Sequence, residues 1–225
     1  MRYQIRTKIN RPDAALVARA ARCHVGVTGV HAGPRQVMHA AIKPLLPQWR
    51  VCGPAFTVRP EYTEDLLTGE VAGKYAQAGD VIVVDGGARL DVACWGMGMS
   101  MAAQRNGCAG VVLDGSCMNG TLLTRERVQL PIFARALVAS ARGADKPGSI
   151  NVPIICGGVI VHPGDIILAD CDGVVVLPPQ QLAAILSRSE SYSGEAARDK
   201  AIDLPYWERR QSEQKMRALP DIEWS

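Results

Sequence analysis

The sequence predicts a single α/β domain followed by a helical C-terminal extension. Its 225 residues suit one domain with a tail, and 48% of them are hydrophobic, which is ordinary for a packed globular protein. Two short apolar runs enclose a helix-length segment, and four further apolar runs crowd together after residue 150. We expect the domain over residues 1–190 and the extension over 191–225, where Trp207, Met216 and Trp224 would be exposed unless they dock on a neighbour.

The first third of the chain combines helix signals with one strand. Pro12 and Asp13 precede an alanine-rich stretch, and these residue types are typical of a helix start. The pattern of apolar residues predicts helices over 14–23, 34–45 and 65–78, and a strand over 50–58.

The middle of the chain predicts a βαβ unit. Apolar runs at 81–84 and 110–113 predict buried strands that end at Asp85 and Asp114, and the segment 91–105 has the length and composition of a helix. A strand–helix–strand unit places its two strands in parallel. Because ligands bind at the carboxyl ends of strands in open α/β sheets, a pocket is expected between the loops that follow these strands.

The remaining apolar runs predict more strands and one helix. A shorter helix and a strand over 131–135 extend the unit. Runs at 152–156, 159–162, 166–169 and 174–177 are separated by glycine-rich turn signals. This spacing predicts a β-meander. Two prolines at 178 and 179 then open a helix over 180–191.

Composition excludes several classes of protein. The net charge is only +3, which disfavours an obligate nucleic-acid binder. No stretch approaches the ~18 apolar residues of a membrane span, and residues 1–8 lack the apolar segment of a secretory signal. The seven cysteines form no Cys-x-x-Cys pair, so we interpret most of them as small buried hydrophobes in a reducing cytoplasm.

A glycine-rich segment predicts an anion site. Gly96 and Gly98 lie near the expected start of a helix, where backbone N–H groups favour an anion, and glycine lets a ligand approach them. The alternative is that these glycines relieve crowding where helices pack. Arg89 is the nearest cation in sequence, and its alternative role is an ordinary ion pair with Asp91.

Several motifs together resemble a known family. They lie at residues 79–87, 93–96, 110–115, 131–135 and 148–174. The sequence resembles the regulator of ribonuclease activity A (RraA-like) family, which includes 4-hydroxy-4-methyl-2-oxoglutarate aldolases. The resemblance implies a β/β/α swivelling-domain fold, a ring-shaped homotrimer or a hexamer of two stacked trimers, and a site between subunits. In the aldolases it implies Mg²⁺ or Mn²⁺, which holds a 2-oxo acid and stabilises the pyruvate enolate.

The charged positions of the family motifs are replaced in this chain. Where the family has Asp-Gly-x-x-Arg-Asp, this chain has Asp114-Gly115-Ser116-Cys117-Met118-Asn119. Where the family has Gly-(Glu/Asp)-Leu-Leu, it has Gly96-Met97-Gly98-Met99. Methionine donates no hydrogen bond, and Mg²⁺ prefers charged oxygen ligands to a neutral amide. The scaffold residues match the family, whereas the reactive positions do not.

Three functions follow as hypotheses. The first is an aldolase-family lyase acting on a small 2-oxo acid, by retro-aldol cleavage or oxaloacetate-type decarboxylation to pyruvate. The second is a catalytically silent, ring-shaped binding protein, and the third is a metal-independent isomerase-type activity in a methionine-lined pocket.

Specific residues carry the lyase hypothesis. Arg89, Asp114 and Asn119 are the expected catalytic residues, and Asn119 occupies the family's metal-ligand position. The residues expected to bind the substrate are Gly96, Met97, Gly98, Met99 and Met118.

Overall fold

The structure is a computed structural model that describes residues 3–62, 66–121, 128–142, 146, 148–200, 208 and 210–220, without the side chains of 193–200. The chain divides into two compact units, Met1–Ser189 and Glu190–Ser225. The strands are β1 (Lys43–Pro44), β2 (Val51–Arg59), β3 (Val81–Trp95), β4 (Gly110–Cys117), β5 (Ile132–Ala134), β6 (Ala136–Leu137), β7 (Ser149–Ile150), β8 (Ile154–Cys156), β9 (Val159–Val161), β10 (Ile166–Asp170) and β11 (Gly173–Leu177). The helices are α1 (Ala14–Arg22), α2 (Val25–Ala32), α3 (Leu67–Tyr75), α4 (Met97–Arg105), α5 (Pro179–Lys200) and α6 (Ser212–Arg217), with a 3₁₀ turn at Pro34–Gln36.

A mixed sheet forms the centre of the first unit, in the order β1-β5-β4-β3-β2-β10-β11. Strands β2, β3, β4 and β5 are parallel, whereas β1, β10 and β11 pair antiparallel with their neighbours. The two ends of this path approach each other, because Lys43 Nζ donates to the carbonyl oxygens of Cys171 and Asp172 in the turn between β10 and β11. The predicted α/β class and the parallel pair β3–β4 are confirmed.

Strand alternation separates two cores across this sheet. Ile82 and Val84 of β3 pack into a core shared with helices α3 and α4, whereas Val81 and Val83 face a second core shared with β8 and β9. Successive side chains of a strand point to opposite faces, so a continuous apolar run is required where both faces are covered. This explains why the runs at 81–84 and 110–113 are so uniformly apolar.

The predicted helix over 34–45 is wrong. Only a 3₁₀ turn at Pro34–Gln36 forms there, and Lys43–Pro44 pairs with β5. Backbone N–H groups that a helix would use instead make tertiary bonds: Met38 N donates to Val174 O, and His39 N donates to Gly157 O. The sequence prediction also missed helix α2 (Val25–Ala32).

The predicted ends of the two central strands are also wrong. Strand β3 continues through Asp85 to Trp95, and β4 continues through Asp114 to Cys117, so helix α4 begins at Met97 and not at residue 91. Irregular pairing with β4 absorbs the extra residues of β3. The tertiary bond from Ala93 N to Ser140 O holds this segment extended.

The remaining elements agree with the sequence prediction only in part. Asp13 caps α1 through a 2.7 Å bond from Ala15 N, as expected for an acid at a helix start. The expected β-meander is instead two hairpins, β8–β9 and β10–β11, because β10 pairs with β2 and not with β9. The short helix expected before residue 131 falls largely on residues outside the described ranges.

The cysteines and the hydropathy of the helices are as the sequence predicts. All seven cysteines are free thiols, and most are buried, as predicted. Within the described ranges, no helix combines the length and apolar character needed to cross a bilayer. In the second unit, Met216 of α6 is 48% exposed, while Trp207 and Trp224 lie outside the described residues.

Candidate functional site

The ends of β3 and β4 bring three of the predicted site residues, Gly96, Met118 and Asn119, together. Trp95 pairs with Cys117 in the sheet, and Met118 N donates to Trp95 O at 3.0 Å. Gly96, which follows Trp95, therefore lies beside Met118 and Asn119, although more than twenty residues separate them in sequence.

Gly96 and Gly98 have different surroundings. A Cβ atom at Gly96 would lie 3.1 Å from Met118 Cγ and 3.3 Å from Asn119 Oδ1, so glycine allows close packing there. At Gly98, which is exposed, a Cβ atom would meet none of the described residues within 4 Å. The packing interpretation therefore suits Gly96, whereas Gly98 opens onto space that a ligand can occupy.

Buried hydrogen bonds hold the first turn of α4 in place, and its N-terminus has no side-chain cap. Trp95 is fully buried, its Nε1 donates to Ser100 Oγ at 2.9 Å, and that hydroxyl donates to Gly96 O. The N-cap residue Gly96 has no side chain to cap the helix, and no side chain among the described residues accepts a hydrogen bond from its first turn. The first amides of α4 thus lack intrahelical partners and carry partial positive charge.

The two methionines of this turn do not present their side chains equally. Met99 is 6% exposed and packs in the core beside α3, where its sulfur would lie 3.0 Å from a Cβ at Gly69. Met97 is half-buried against the same core. The Met99 side chain is therefore closed to a substrate, which could contact this residue only through its backbone.

A groove of about 450 Å³ opens beside Asn119. Its walls are the end of β4 and the chain that follows β6, held together by Val138 N, which donates to Cys117 O at 2.9 Å. The residues that line it are Met118, Asn119, Gly120, Thr121, Leu137, Val138 and Ala139. The sequence prediction missed the wall at 137–139, because these residues carry no charge or motif.

Arg89 forms an ion pair with Asp91, which is the alternative role expected for it. Its Nε and Nη2 atoms donate to the two carboxylate oxygens of Asp91 at 2.9 and 2.5 Å. Arg89 lies opposite Gly115 in the sheet, and Ser116 Oγ donates to its carbonyl oxygen. A role toward substrate requires Arg89 to exchange the Asp91 carboxylate for that of the ligand.

Asp114 belongs to a buried network. Arg135 Nε donates to its Oδ1 at 2.5 Å, and Gly157 N donates to its Oδ2 at 2.7 Å, while Asp114 is only 5% exposed. Arg135 Nη1 also lies 3.2 Å from His39 Nδ1. The geometry suits a carboxylate that positions the end of β4, and the signal that could have found its partner is the single arginine after the apolar strand β5.

Asp85 lies near this network on β3. Burial raises the pKa of its carboxyl group, and the nearby charge of Asp114 raises it further, whereas the bond from Gly87 N opposes the shift. Burial also raises the pKa of the Cys94 and Cys117 thiols to about 12, so both stay protonated and unreactive at neutral pH. These cysteines act as packing residues.

The residues at the inherited metal position do not fit Mg²⁺ or Mn²⁺. Met97 and Met118 offer thioether sulfur or nothing, and Asn119 offers one neutral oxygen. Hard divalent cations prefer several oxygen ligands, usually including carboxylates. The Asp114 carboxylate is already occupied by Arg135 and Gly157. The described part of the site therefore holds no donor set for such an ion.

Comparisons with known proteins identify relatives of this chain. The family model RraA-like, described as Aldolase/RraA, matches residues 20–176. A protein of Halalkalibacterium halodurans named "Putative 4-hydroxy-4-methyl-2-oxoglutarate aldolase" is 35% identical over 164 residues, which are 72% of this chain and 77% of that protein. A protein of Burkholderia mallei with the same name is 35% identical over 147 residues, or 64% and 86% of the two chains.

Solved structures share the fold. A Streptomyces coelicolor protein, described as an unusual member of the RNase ES inhibitor RraA protein family, has a TM-score of 0.73 and 25% identity, and covers 86% of this chain and 98% of its own. The RNA-processing inhibitor RraA from Thermus thermophilis has a TM-score of 0.57 and 30% identity, and covers 63% and 84%. The relatives of this chain thus include proteins named for an enzyme activity and proteins named for inhibition.

Proposed function

This chain belongs to the RraA-like (Aldolase/RraA) family, as its motifs predict, and from that premise we propose that it is a carbon–carbon lyase acting on a small 2-oxo acid. The observation that carries the proposal is the uncapped first turn of α4, with open space at Gly98, beside Met118 and Asn119. Family relatives named as aldolases of a 2-oxo acid supply the substrate class.

The backbone of α4 supplies the proposed binding and stabilisation. The N–H groups of Gly98 and Met99 donate to the substrate carboxylate or to the 2-oxo oxygen, where negative charge develops. Arg89 is the candidate for a second contact to the carboxylate. Asn119 orients the substrate through its amide, and Asp114 acts as a positioning residue that fixes the end of β4 through Arg135.

The proposed bond cleavage leaves an enolate. In retro-aldol cleavage, the C4 hydroxyl loses its proton, the C3–C4 bond breaks, and its electron pair forms the enolate of pyruvate. In decarboxylation of oxaloacetate, the bond between C3 and the departing CO₂ breaks, and its electron pair forms the same pyruvate enolate. The enolate then takes a proton at C3 from water. The described residues that line the groove beside Asn119 include no acid or base. We therefore assign the hydroxyl proton of the retro-aldol reaction to water as well.

The family metal has no part in this proposal. Met97, Met118 and Asn119 do not form its ligand set, and the amides of α4 take over the stabilisation of the enolate oxygen. Electrostatic stabilisation by backbone donors is a general device for developing oxyanions. We expect activity without added metal, and slower than that of an enzyme that uses a Lewis acid.

Catalytic silence is the second candidate, and the same three residues favour it. Without a charged group at Met97, Met118 or Asn119, a 2-oxo acid can bind to the α4 amides without being cleaved. The chain is then a binding protein of the family, in keeping with relatives described as inhibitors.

One experiment tests both candidates. Purified protein treated with EDTA is mixed with oxaloacetate or 4-hydroxy-2-oxopentanoate, pyruvate release is followed with a coupled assay, and pyruvate binding is measured by calorimetry. Release above the buffer rate, lost in Gly98→Val, supports the lyase. Binding without release supports the silent protein, and absence of both overturns the proposed 2-oxo acid site.

A further inference from the structure

A buried chain of hydrogen bonds lies beneath the first turn of α4. The indole Nε1 of Trp95 donates to Ser100 Oγ at 2.9 Å, and that hydroxyl donates to Gly96 O, also at 2.9 Å. Gly96 O accepts a second bond, from Ser100 N at 3.1 Å. The side chains of Trp95 and Ser100 are fully buried, so water does not compete for these bonds. Two atoms of one residue thus hold the carbonyl that precedes the helix.

Helix formation by itself does not require the Ser100 hydroxyl. The bond from Ser100 N to Gly96 O is the ordinary i→i−4 bond of a helix, which every residue except proline makes. A serine hydroxyl that bonds the i−4 carbonyl slightly destabilises a helix, and alanine is the better helix former. Ser100 also satisfies the indole N–H, but a phenylalanine at position 95 would need no such partner. The pair therefore indicates a role beyond helix stability.

The hydroxyl acts on the peptide unit that joins Gly96 to Met97. Because this unit is planar and trans, the carbonyl of Gly96 and the N–H of Met97 point in opposite directions. A carbonyl held by Ser100 therefore fixes the direction of the first helical N–H. Hydrogen bonds accepted by a carbonyl also polarise the chain of amides to which it belongs. Gly96 has no side chain with which to hold this orientation itself.

We propose that Trp95 and Ser100 are positioning residues for the 2-oxo acid: their buried relay, from the indole N–H through the hydroxyl to Gly96 O, aims the first amides of α4 at the ligand carboxylate. This inference rests on the proposed 2-oxo acid site at α4. Both side chains act through the backbone, since both are fully buried. Hydrogen bonds weaken steeply as their angle departs from linear, so a rotation of this peptide lowers the affinity.

Ser100→Ala removes the relay and keeps the i→i−4 backbone bond of the helix. Calorimetry should show that pyruvate binds about tenfold more weakly to this variant than to the parent, because bonds to a charged group are strong and are lost on misalignment. The matched control is Ser189→Ala. Ser189 is also fully buried, and its hydroxyl makes the same i→i−4 bond in α5, to Ile185 O at 2.9 Å. Ser189→Ala should bind pyruvate as the parent does.

A second comparison separates positioning from stability. In the parent, Ser100→Ala leaves the indole N–H of Trp95 buried without its acceptor, which lowers the melting temperature. In a Trp95→Phe background no indole N–H remains, so the addition of Ser100→Ala should lower the melting temperature less. It should still weaken pyruvate binding relative to Trp95→Phe alone. This comparison serves as the test if Ser100→Ala alone does not fold.

Each outcome has one meaning. Weaker pyruvate binding by folded Ser100→Ala, in either background, with unchanged binding by Ser189→Ala, supports the inference. Parent-like pyruvate affinity in Ser100→Ala, or an equal loss of affinity in Ser189→Ala, overturns it and leaves the proposed 2-oxo acid site standing. If the parent itself does not bind pyruvate, the proposed site fails and the inference fails with it.

Discussion

At the scale of single residues, Met118 and Asn119 decide what the site can bind. They lie side by side at the end of β4, in contact with Gly96 at the start of α4. Their side chains carry no charge, whereas the family motif they replace has an arginine and an aspartate. A hard cation loses an anionic ligand here, and a carboxylate loses a cationic one.

We predict weak or absent Mg²⁺ binding by the parent protein. Calorimetry should detect no micromolar affinity, because the described residues of the site provide only one neutral oxygen, that of Asn119. The double variant Met118→Arg/Asn119→Asp should gain Mg²⁺ affinity, and Met118→Arg alone serves as its control. Micromolar Mg²⁺ binding by the parent, abolished by Asn119→Ala, would refute this prediction.

Asp85 should make stability depend on pH in a specific direction. Burial, followed by the charge of Asp114, raises the pKa of Asp85 in the folded state above its unfolded value of about 3.9. Between the unfolded and the folded pKa of Asp85, the folded state binds more protons than the unfolded state. Asp85 therefore destabilises the fold progressively as the pH rises through this range.

The variant Asp85→Asn tests this sign. Chemical unfolding should show a greater free energy of unfolding for the variant than for the parent at pH 7, because the buried charge is removed. The difference should shrink as the pH falls toward the ordinary carboxyl pKa, where the parent also becomes neutral. A difference that grows on acidification would show that the Asp85 charge stabilises the fold.

At the scale of elements, the start of α4 separates packing from binding. Because a Cβ atom at Gly98 would meet nothing within 4 Å in the part of the chain that the structure describes, Gly98→Val should leave the melting temperature nearly unchanged. The added side chain should block the first-turn amides and abolish pyruvate binding in calorimetry. The control is Gly73→Ala in α3, whose Cβ would make an ordinary 3.8 Å contact with Ala102. Unfolding of Gly98→Val would instead assign this glycine to packing.

Breaking the Asp114–Arg135 ion pair should reduce the free energy of unfolding more than breaking the Arg89–Asp91 ion pair. The two side chains are only 8% and 12% exposed, so Arg135→Met leaves a buried carboxylate without its cation. We expect a loss of about 3–5 kcal/mol of unfolding free energy. Arg89→Met is the matched control, because the Arg89–Asp91 pair is 40% and 70% exposed and should contribute less than about 1 kcal/mol. Equal losses in denaturant titrations of the two variants would contradict the structural role of the buried pair.

At the scale of the whole molecule, an exposed apolar pair supports self-association. Ile155 and Ile160 lie opposite each other on the β8–β9 hairpin, and each is nearly 60% exposed. Such a pair on an antiparallel hairpin is unfavourable in water unless a neighbour covers it. The family resemblance implies a ring-shaped trimer or a hexamer.

We predict a trimer or hexamer in solution. Light scattering at micromolar concentration should give about three or six times the 24.1 kDa mass of the chain. Ile155→Lys/Ile160→Lys shows whether the hairpin contributes, since a reduced mass with an unchanged circular dichroism spectrum would place this pair in the interface. A parent mass near 24.1 kDa would contradict the prediction.

Local sequence patterns specify the parallel centre of the sheet, the capped start of α1 and the neutral character of the reactive positions. Apolar runs, an acid at a helix start and the identities of Met97, Met118 and Asn119 are local properties, readable without knowledge of distant contacts. The family motifs added the fold, because their spacing spans several elements at once.

The partners of these residues depend on contacts between distant parts of the chain. Asp114 meets Arg135 and Gly157 across 21 and 43 positions of sequence, and no local pattern specifies such a pairing. Residues 85–95 continue as a strand because β4 and Ser140 bind their backbone, which outweighs a helix-like composition. Leu137 faces the groove for the same reason: long-range backbone pairing of β6 with β4 fixes its place, whereas sequence periodicity reports only neighbours along the chain.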